Sequence, residues 1–287
     1  MAQFYKYMSR EAATATLQNR TLRWSTPPTL NDPFDMQFAF QVDLDRDVVR
    51  AKALSKSWLA VHKKGSEKPL NELGRAIQQN RAGLSNLSKK EFDEEIGRVI
   101  DETFDNMRAK VIEFSTTITD HFKGDKILCL CELPNSILMW AYYTQNHSGV
   151  VLRFTDGTPN NPLTQARPVR YVQTMPSLFD NELLSDLLAG YSVLDPERLI
   201  NEVTLTKSSI WAHEREWRVY SGRGRSDRPY EDLPFNAQEL DGVIFGVRVS
   251  DDYRTALSQL VRKKYPHAQL LQTRTETVTH SLVFDRI

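Results

Sequence analysis

The chain has 287 residues, 40% hydrophobic and 26% charged, enough for one large core or two small ones. Its 37 basic and 37 acidic residues cancel, so any contact with nucleic acid would need a local patch rather than a global field. Two cysteines exclude a disulfide framework, MAQFYKYMSR lacks the apolar core of a signal peptide, and no run reaches the roughly 18 apolar residues of a membrane helix, so a cytoplasmic protein without membrane attachment is expected.

In chain order, FYKYM (4–8) predicts a strand, and Ser9 is a suitable N-cap for the Ala-rich helix that follows. RTLRWS (20–25) predicts a second strand. TPPTLNDPFD (26–35) predicts a loop, because three prolines forbid regular structure. Within it Asn31 and Asp32 can bond their own backbone, Pro33 fixes the turn, and Phe34 is expected to point inward. That loop is either a rigid buried turn or a rim that carries Asp32 and Asp35 toward Lys6 and Ser25.

Residues 44–123 are charged and helically periodic. Phe92, Ile96, Ile100, Phe104 and Met107 make one apolar face. This block reads as a helical insertion or subdomain within a single α+β domain spanning 1–287. KILCLCEL (126–133) predicts a strand on which Cys129 and Cys131 share a face, as buried thiols rather than metal ligands. SILMWAYYTQN (136–146) predicts a short helix with Trp140, Tyr143 and His147 along one side, either core or site. Of the three, His147 is the functional choice, able to meet a base or phosphate or to cap the helix.

Strands at 149–154 and 168–173 and helices at 177–190 and 195–209 come next. After WAHEREWRVY (211–220) follow a Gly/Arg loop SGRGRSDRP that could touch phosphate, a strand at 241–249, a helix at 251–265, and strands in AQLLQTR and HSLVFD. Helices between strands, with strands in direct succession late in the chain, predict an α+β fold.

WAHEREWRVY concentrates the chemistry. Read as one strand, it sets Glu214, Glu216 and Arg218 on one side, with Trp211 and Trp217 as packing anchors. Such a face is either an ion-pair ladder in solvent or a working site. Arg218 would hold Glu216 or meet a diphosphate. Glu214 would bind an acceptor or answer Arg218, and His213 could act from the strand start. There is no phosphate-binding G-x-x-x-x-G-K-[ST], no G-x-G-x-x-G, no H-E-x-x-H and no G-x-S-x-G.

FYKYMS, LRWSTPPTLNDPFD, ILCLCE…LMWAYYTQNHSGVVLRF, VRYV and K…WAHEREWRVY before GVIFGVRVS occur in one order. The set resembles the bacterial "domain of unknown function 2971" family over about residues 4–265, interrupted at 44–123. More distantly the layout resembles the ADP-ribosyltransferase superfamily, in the branch that modifies nucleic acid in toxin and phage-defence systems. That resemblance implies mostly antiparallel core sheets and NAD as substrate. It implies a nucleic-acid or protein acceptor and a neutralising antitoxin partner. Glu216 or Glu214 would be the late acid, with Lys6 beside it in a catalytic role. Tyr5, Tyr7, Ser25, Asn31, Asp32, Trp140, Tyr143, His147 and Arg218 would surround the NAD, with no metal. Lys6 departs from the His or Arg usual on the first strand of that superfamily, which leaves hydrolysis or plain nucleotide binding open.

Two other readings compete. One is a metal-dependent nuclease built on Asp32, Asp35, Glu132, Glu214 and Glu216. The other is a non-enzymatic nucleotide-sensing module whose 44–123 block contacts a partner.

Overall fold

The computed structural model describes residues 2–36, 44–63, 69–177, 179–223 and 228–287. Residues 224–227 of SGRGRSDRP lie outside them, and with them the centre of the loop read as a phosphate contact. The elements run β1 (Gln3–Met8), α1 (Arg10–Asn19), β2 (Thr21–Ser25), α2 (Arg46–His62), α3 (Glu72–Gln79), α4 (Arg81–Leu84), α5 (Lys89–Phe122) and β3 (Asp125–Cys131). Then come α6 (Ile137–Tyr143), β4 (Val150–Thr155), β5 (Arg167–Pro168), β6 (Arg170–Val172), α7 (Asn181–Ala189), α8 (Pro196–Thr204) and β7 (Thr206–Ser208). The chain finishes with β8 (Glu216–Arg223), β9 (Tyr230–Pro234), β10 (Leu240–Phe245), α9 (Asp251–Lys264), β11 (Gln269–Glu276) and β12 (Ser281–Arg286). The fold is α+β with a mainly antiparallel open sheet.

The chain divides into two compact units. The first comprises Met1–Gln37, His121–Met175 and Thr204–Ile287; the second comprises Phe38–Asp120 and Pro176–Val203. In the first unit the strands follow the order β12-β11-β10-β4-β1-β3-β2-β9, with β8 joined to β3 and β5 to β8. The β10–β11 pair is parallel. β1 alternates in the way its sequence predicts. Phe4 and Met8 enter the core beneath α1 and α9, with Leu17, Leu152, Val243 and Val261. Tyr5 and Tyr7 join Met139, Trp140 and Val151 in a separate cluster. Ser9 caps α1, its hydroxyl accepting the Ala12 N–H at 3.2 Å.

β3 holds an unusual place. It pairs with β8 along most of its length, from Asp125 to Cys131. It meets β1 in register at one pair, Tyr5 with Cys131, and β2 at one pair, Ser25 with Ile127. β1 itself pairs fully with β4, and β2 fully with β9. The sheet therefore forks along β3.

Local differences from the sequence reading have local causes. The 26–35 loop winds one 3₁₀ turn at Pro27–Thr29, which a proline at the first helical position favours. Asp32 does accept the Phe34 N–H at 2.9 Å, yet the Phe34 ring points outward and is 75% exposed. α6 stops at Tyr143, and Gln145, Asn146 and His147 follow with φ of 51°, 56° and 68°. This left-handed turn docks on the end of β10, where the N–H groups of Arg248 and Gly246 donate to the carbonyls of His147 and Gly149, each at 3.0 Å. The helix expected to reach 209 ends at Thr204, and residues 206–208 form β7, parallel to β6.

The second unit is helical. Val49, Ala53, Phe92, Ile96, Ile100, Phe104, Leu184 and Leu188 form its core, with Met107 packed against it. The apolar face expected on residues 92–107 is the face that α5 buries. Lys56 of α2 reaches Glu182 at 2.5 Å and Asp186 at 2.6 Å, tying α2 to α7. Among the described residues no helix is long and apolar enough to cross a membrane.

Candidate functional site

WAHEREWRVY is not one strand. Ser209–Glu214 winds a 3₁₀ turn, Arg215 adopts the left-handed conformation (φ 46°, ψ 50°), and β8 begins at Glu216. Glu214 and Glu216 therefore do not share a strand face, as alternation alone would have it. The left-handed residue folds Glu214 back over the head of β8, and both acids end beside the same lysine. Arg215 turns its side chain outward, 3.3 Å from Glu132. The backbone at the junction is tied: the Glu216 N–H donates to the Tyr171 hydroxyl at 2.8 Å, and the Glu132 N–H donates to the Arg215 carbonyl at 3.0 Å.

Neither is the charged face solvated. Glu214, Glu216 and Arg218 are 3%, 6% and 1% exposed. Arg218 grips Glu216 through Nε–Oε1 at 2.8 Å and Nη2–Oε2 at 2.9 Å. Its other edge forks onto Asp35, Nη1–Oδ1 at 2.9 Å and Nη2–Oδ2 at 2.5 Å, and Nη1 also donates to the Thr204 carbonyl at 2.9 Å. Lys207 of β7 completes the network, with Nζ 2.5 Å from Glu214, 3.2 Å from Glu216 and 3.4 Å from Asp35. Glu214 Oε1 accepts from Tyr143 at 2.5 Å and from Asn31 at 3.2 Å. Three carboxylates against two cations leave one formal negative charge in excess.

Burial of this kind raises a carboxyl, but the Arg218 and Lys207 charges overcome it and hold Glu216 down to about 2. Burial would lower Lys207 and Arg218, and here too the paired acids win and raise both. Burial, reinforced by Glu214, pushes the Tyr143 phenol up. Burial and the Glu216 charge do the same to the Cys129 thiol, and burial pushes Cys131 up to about 11. Both cysteines stay protonated near neutral pH, which suits a cavity wall and not a nucleophile.

A cavity of about 250 Å³ opens where the sheet forks. β1 supplies Tyr5, Lys6 and Tyr7, β2 supplies Arg23 and Ser25, and β3 supplies Cys129 and Cys131. Thr29, Leu30, Asn31 and Asp35 come from the proline loop, Met139 and Tyr143 from α6, and Lys207, Glu214 and Glu216 from the acid end. Lys6 Nζ donates to the Cys129 carbonyl at 2.6 Å, and the Tyr7 hydroxyl donates to the Leu133 carbonyl at 2.7 Å.

Eight expected site residues thus converge: Tyr5, Lys6, Tyr7, Ser25, Asn31, Tyr143, Glu214 and Glu216. Four lie outside the cavity wall. Arg218 stands behind the acids. Asp32 spends its carboxylate on the Phe34 N–H. Trp140 is fully buried and donates to the Pro134 carbonyl at 2.7 Å. His147 lies in the left-handed turn, parallel to the Trp140 ring at 6.3 Å, and is lowered by burial and by Arg248. Sequence reasoning gave no role to Lys207, and it placed Asp35 only as loop rim or nuclease ligand. The one available signal for Lys207 was a lysine shortly ahead of an acid-rich segment.

The late half of this network falls in a recognised segment. Residues 139–219 match the family described as Protein of unknown function (DUF2971). The DUF2971 segment contains Tyr143, Lys207, Glu214, Glu216 and Arg218, while Asp35 and the β1 and β2 residues lie before it. No curated protein and no solved structure matches the chain.

The chemistry available follows from this geometry. Among the described residues no group of three or more His, Cys, Asp or Glu is placed to hold a metal ion. The five carboxylates of the nuclease reading do not converge. Glu132 faces solvent with Arg215, Asp32 is engaged with the backbone, and the Lys207 ammonium occupies the centre of the other three. What remains is a rigid anionic end beside a cavity whose more exposed members include Lys6 and Arg23.

Proposed function

We propose that the cavity binds the nicotinamide–ribose end of NAD and that the protein transfers the ADP-ribosyl group to an acceptor. The observation that carries this reading is Glu216. It is a buried carboxylate, kept ionised by Arg218 and Lys207, on the wall of a cavity of about 250 Å³. Such an acid does not exchange protons near neutral pH; it stabilises positive charge. In the proposed step the bond from ribose C1′ to the nicotinamide nitrogen breaks and its electron pair leaves with neutral nicotinamide. Positive charge builds on the sugar, the acceptor's lone pair bonds to C1′, and the acceptor's proton passes to solvent. An acid at the head of a strand, with both oxygens already oriented, meets that charge without reorganising.

The ligand also fits by charge. NAD carries a cationic ring at one end and a diphosphate further along. The cavity wall carries the excess negative charge of Asp35, Glu214 and Glu216 together with Lys6 and Arg23, the latter paired with Asp232 at 3.1 Å. Its volume suits one end of a dinucleotide and leaves the remainder outside. On this reading the chain is an effector of toxin or phage-defence type, with nucleic acid or protein as acceptor and a neutralising partner in its own cell. The nuclease reading is set aside because an ammonium stands where a metal would have to sit.

The experiment is NAD calorimetry together with nicotinamide release, measured with nucleic-acid and protein acceptor mixtures, for the parent chain and Glu216→Gln. Binding and release by the parent, with release lost in the variant, support the reading. A parent chain that neither binds NAD nor releases nicotinamide overturns it.

A further inference from the structure

We propose that Lys207 is the positioning residue of this cleft, fixing Glu214 and Glu216 as a pair of acids turned toward whatever the cleft binds. The proposal rests on the reading of the cleft as the reaction site. Lys207 lies at the centre of β7, in register with Tyr171 of β6. These two residues of one small sheet act on the same acid. The Tyr171 hydroxyl accepts the Glu216 N–H at 2.8 Å, and the Lys207 ammonium lies 3.2 Å from the Glu216 carboxylate. The sheet therefore holds Glu216 by backbone and side chain at once.

An ammonium has three N–H donors and no acceptor. Carboxylates lie at 2.5, 3.2 and 3.4 Å from Nζ, one each from Glu214, Glu216 and Asp35. The Trp211 ring covers the ammonium at 5.1 Å, and the residue is 2% exposed, so water does not compete for those donors. With its donors directed to the acids, Lys207 works through them and not on a substrate.

Other groups also face Glu216. Arg218 stands on its own strand, Cys129 comes from β3, Asp35 comes from the proline loop, and Glu214 comes from the turn before it. Tyr143 of α6 approaches from the Glu214 side. Arg218 and Lys207 are the two cations of this set. Of these two, Lys207 is the one that touches both glutamates. Without it the two acids repel across a buried space; one protonates or turns away.

The test compares Lys207→Met and Lys207→Arg with the parent chain. Lys207→Met is expected to lower kcat for nicotinamide release about 100-fold, as a misplaced reacting group does. KM for NAD should change little, and the acid limb of the pH–rate profile should move upward. Lys207→Arg, which restores the charge, should return the acid limb toward its original position and recover part of kcat. An unchanged kcat, or a fall in kcat with an unmoved acid limb, would fit a merely structural lysine and overturns the proposal. Where Lys207→Met does not fold, Lys207→Arg alone decides, because it keeps the charge but shifts it; unchanged kcat overturns. A parent chain without NAD turnover defeats the functional reading separately. The ¹³C carboxyl titration of Glu216 in parent and variant then judges the lysine, and an unmoved titration counts against it.

Discussion

Arg218 and Asp35 meet through two parallel hydrogen bonds, 2.9 and 2.5 Å long, although 183 residues separate them in the chain. The pair ties the proline loop to β8, and both side chains are fully buried. Removing the guanidinium would take four hydrogen bonds from two buried carboxylates, Asp35 and Glu216, and leave both to Lys207. Arg218→Ala should therefore cost about 3–5 kcal/mol in chemical denaturation. Arg218→Lys should recover only part of this, because an ammonium cannot fork to two acids as a guanidinium does. Equal stability of Arg218→Ala and the parent would show that the network contributes nothing to folding.

Acid should weaken the fold through Glu216. Its carboxyl lies at about 2 in the folded chain against an ordinary 4.5. A depressed folded value contributes stability that is present above the ordinary value and is lost as pH falls toward the folded one. Denaturation midpoints should thus decline between about pH 4.5 and 2. Glu216→Gln should show a shallower decline over that window, and matching slopes in the two chains would count against the assignment.

The two glutamates should separate by function. Glu216 is gripped by Arg218, and Glu214 is hydrogen-bonded by Tyr143 and Asn31. Glu216→Gln should lower nicotinamide release by about 100-fold or more, the scale of losing one electrostatic stabiliser. Glu214→Gln should retain more turnover than Glu216→Gln. Steady-state kinetics on both variants reads this directly, and the reverse order would move the central role to Glu214.

Gly246 should not tolerate a side chain. A Cβ there would run into the backbone carbonyl of His147, in the left-handed turn. Backbone cannot swing aside, so Gly246→Ala should lose about 3 kcal/mol. Gly83 in α4 has open space around a would-be Cβ. Gly83→Ala should be neutral or gain up to about 1 kcal/mol from the lower entropy of the unfolded chain. Thermal denaturation of the two variants side by side checks the contrast.

Much of this fold follows from short-range rules. Ser9 caps α1, prolines shape the 26–35 loop, and the apolar steps from Phe92 to Phe104 give the buried face of α5. The site resists such reading for definable reasons. Arg215 takes a left-handed conformation that glycine or asparagine would have signalled and arginine does not, so an alternating pattern concealed a turn. Phe34 was expected inside; the Asp32 bond to its N–H fixes the backbone but not the direction of the ring. Lys207 carries only the weak local signal of a lysine ahead of an acid-rich segment. Its meaning comes from three acids brought together by a loop, a turn and a strand, and such convergence is a property of the tertiary structure.

The fork along β3 has a consequence for how this protein could change shape. Between the single contacts at Tyr5–Cys131 and Ser25–Ile127, the ladder is unzipped, and the Lys6 ammonium serves the Cys129 carbonyl in place of a neighbouring strand. Full zippering would close the cavity altogether. The protein thus keeps its cavity by leaving a strand pair unfinished, and the Lys6 side chain spans the gap.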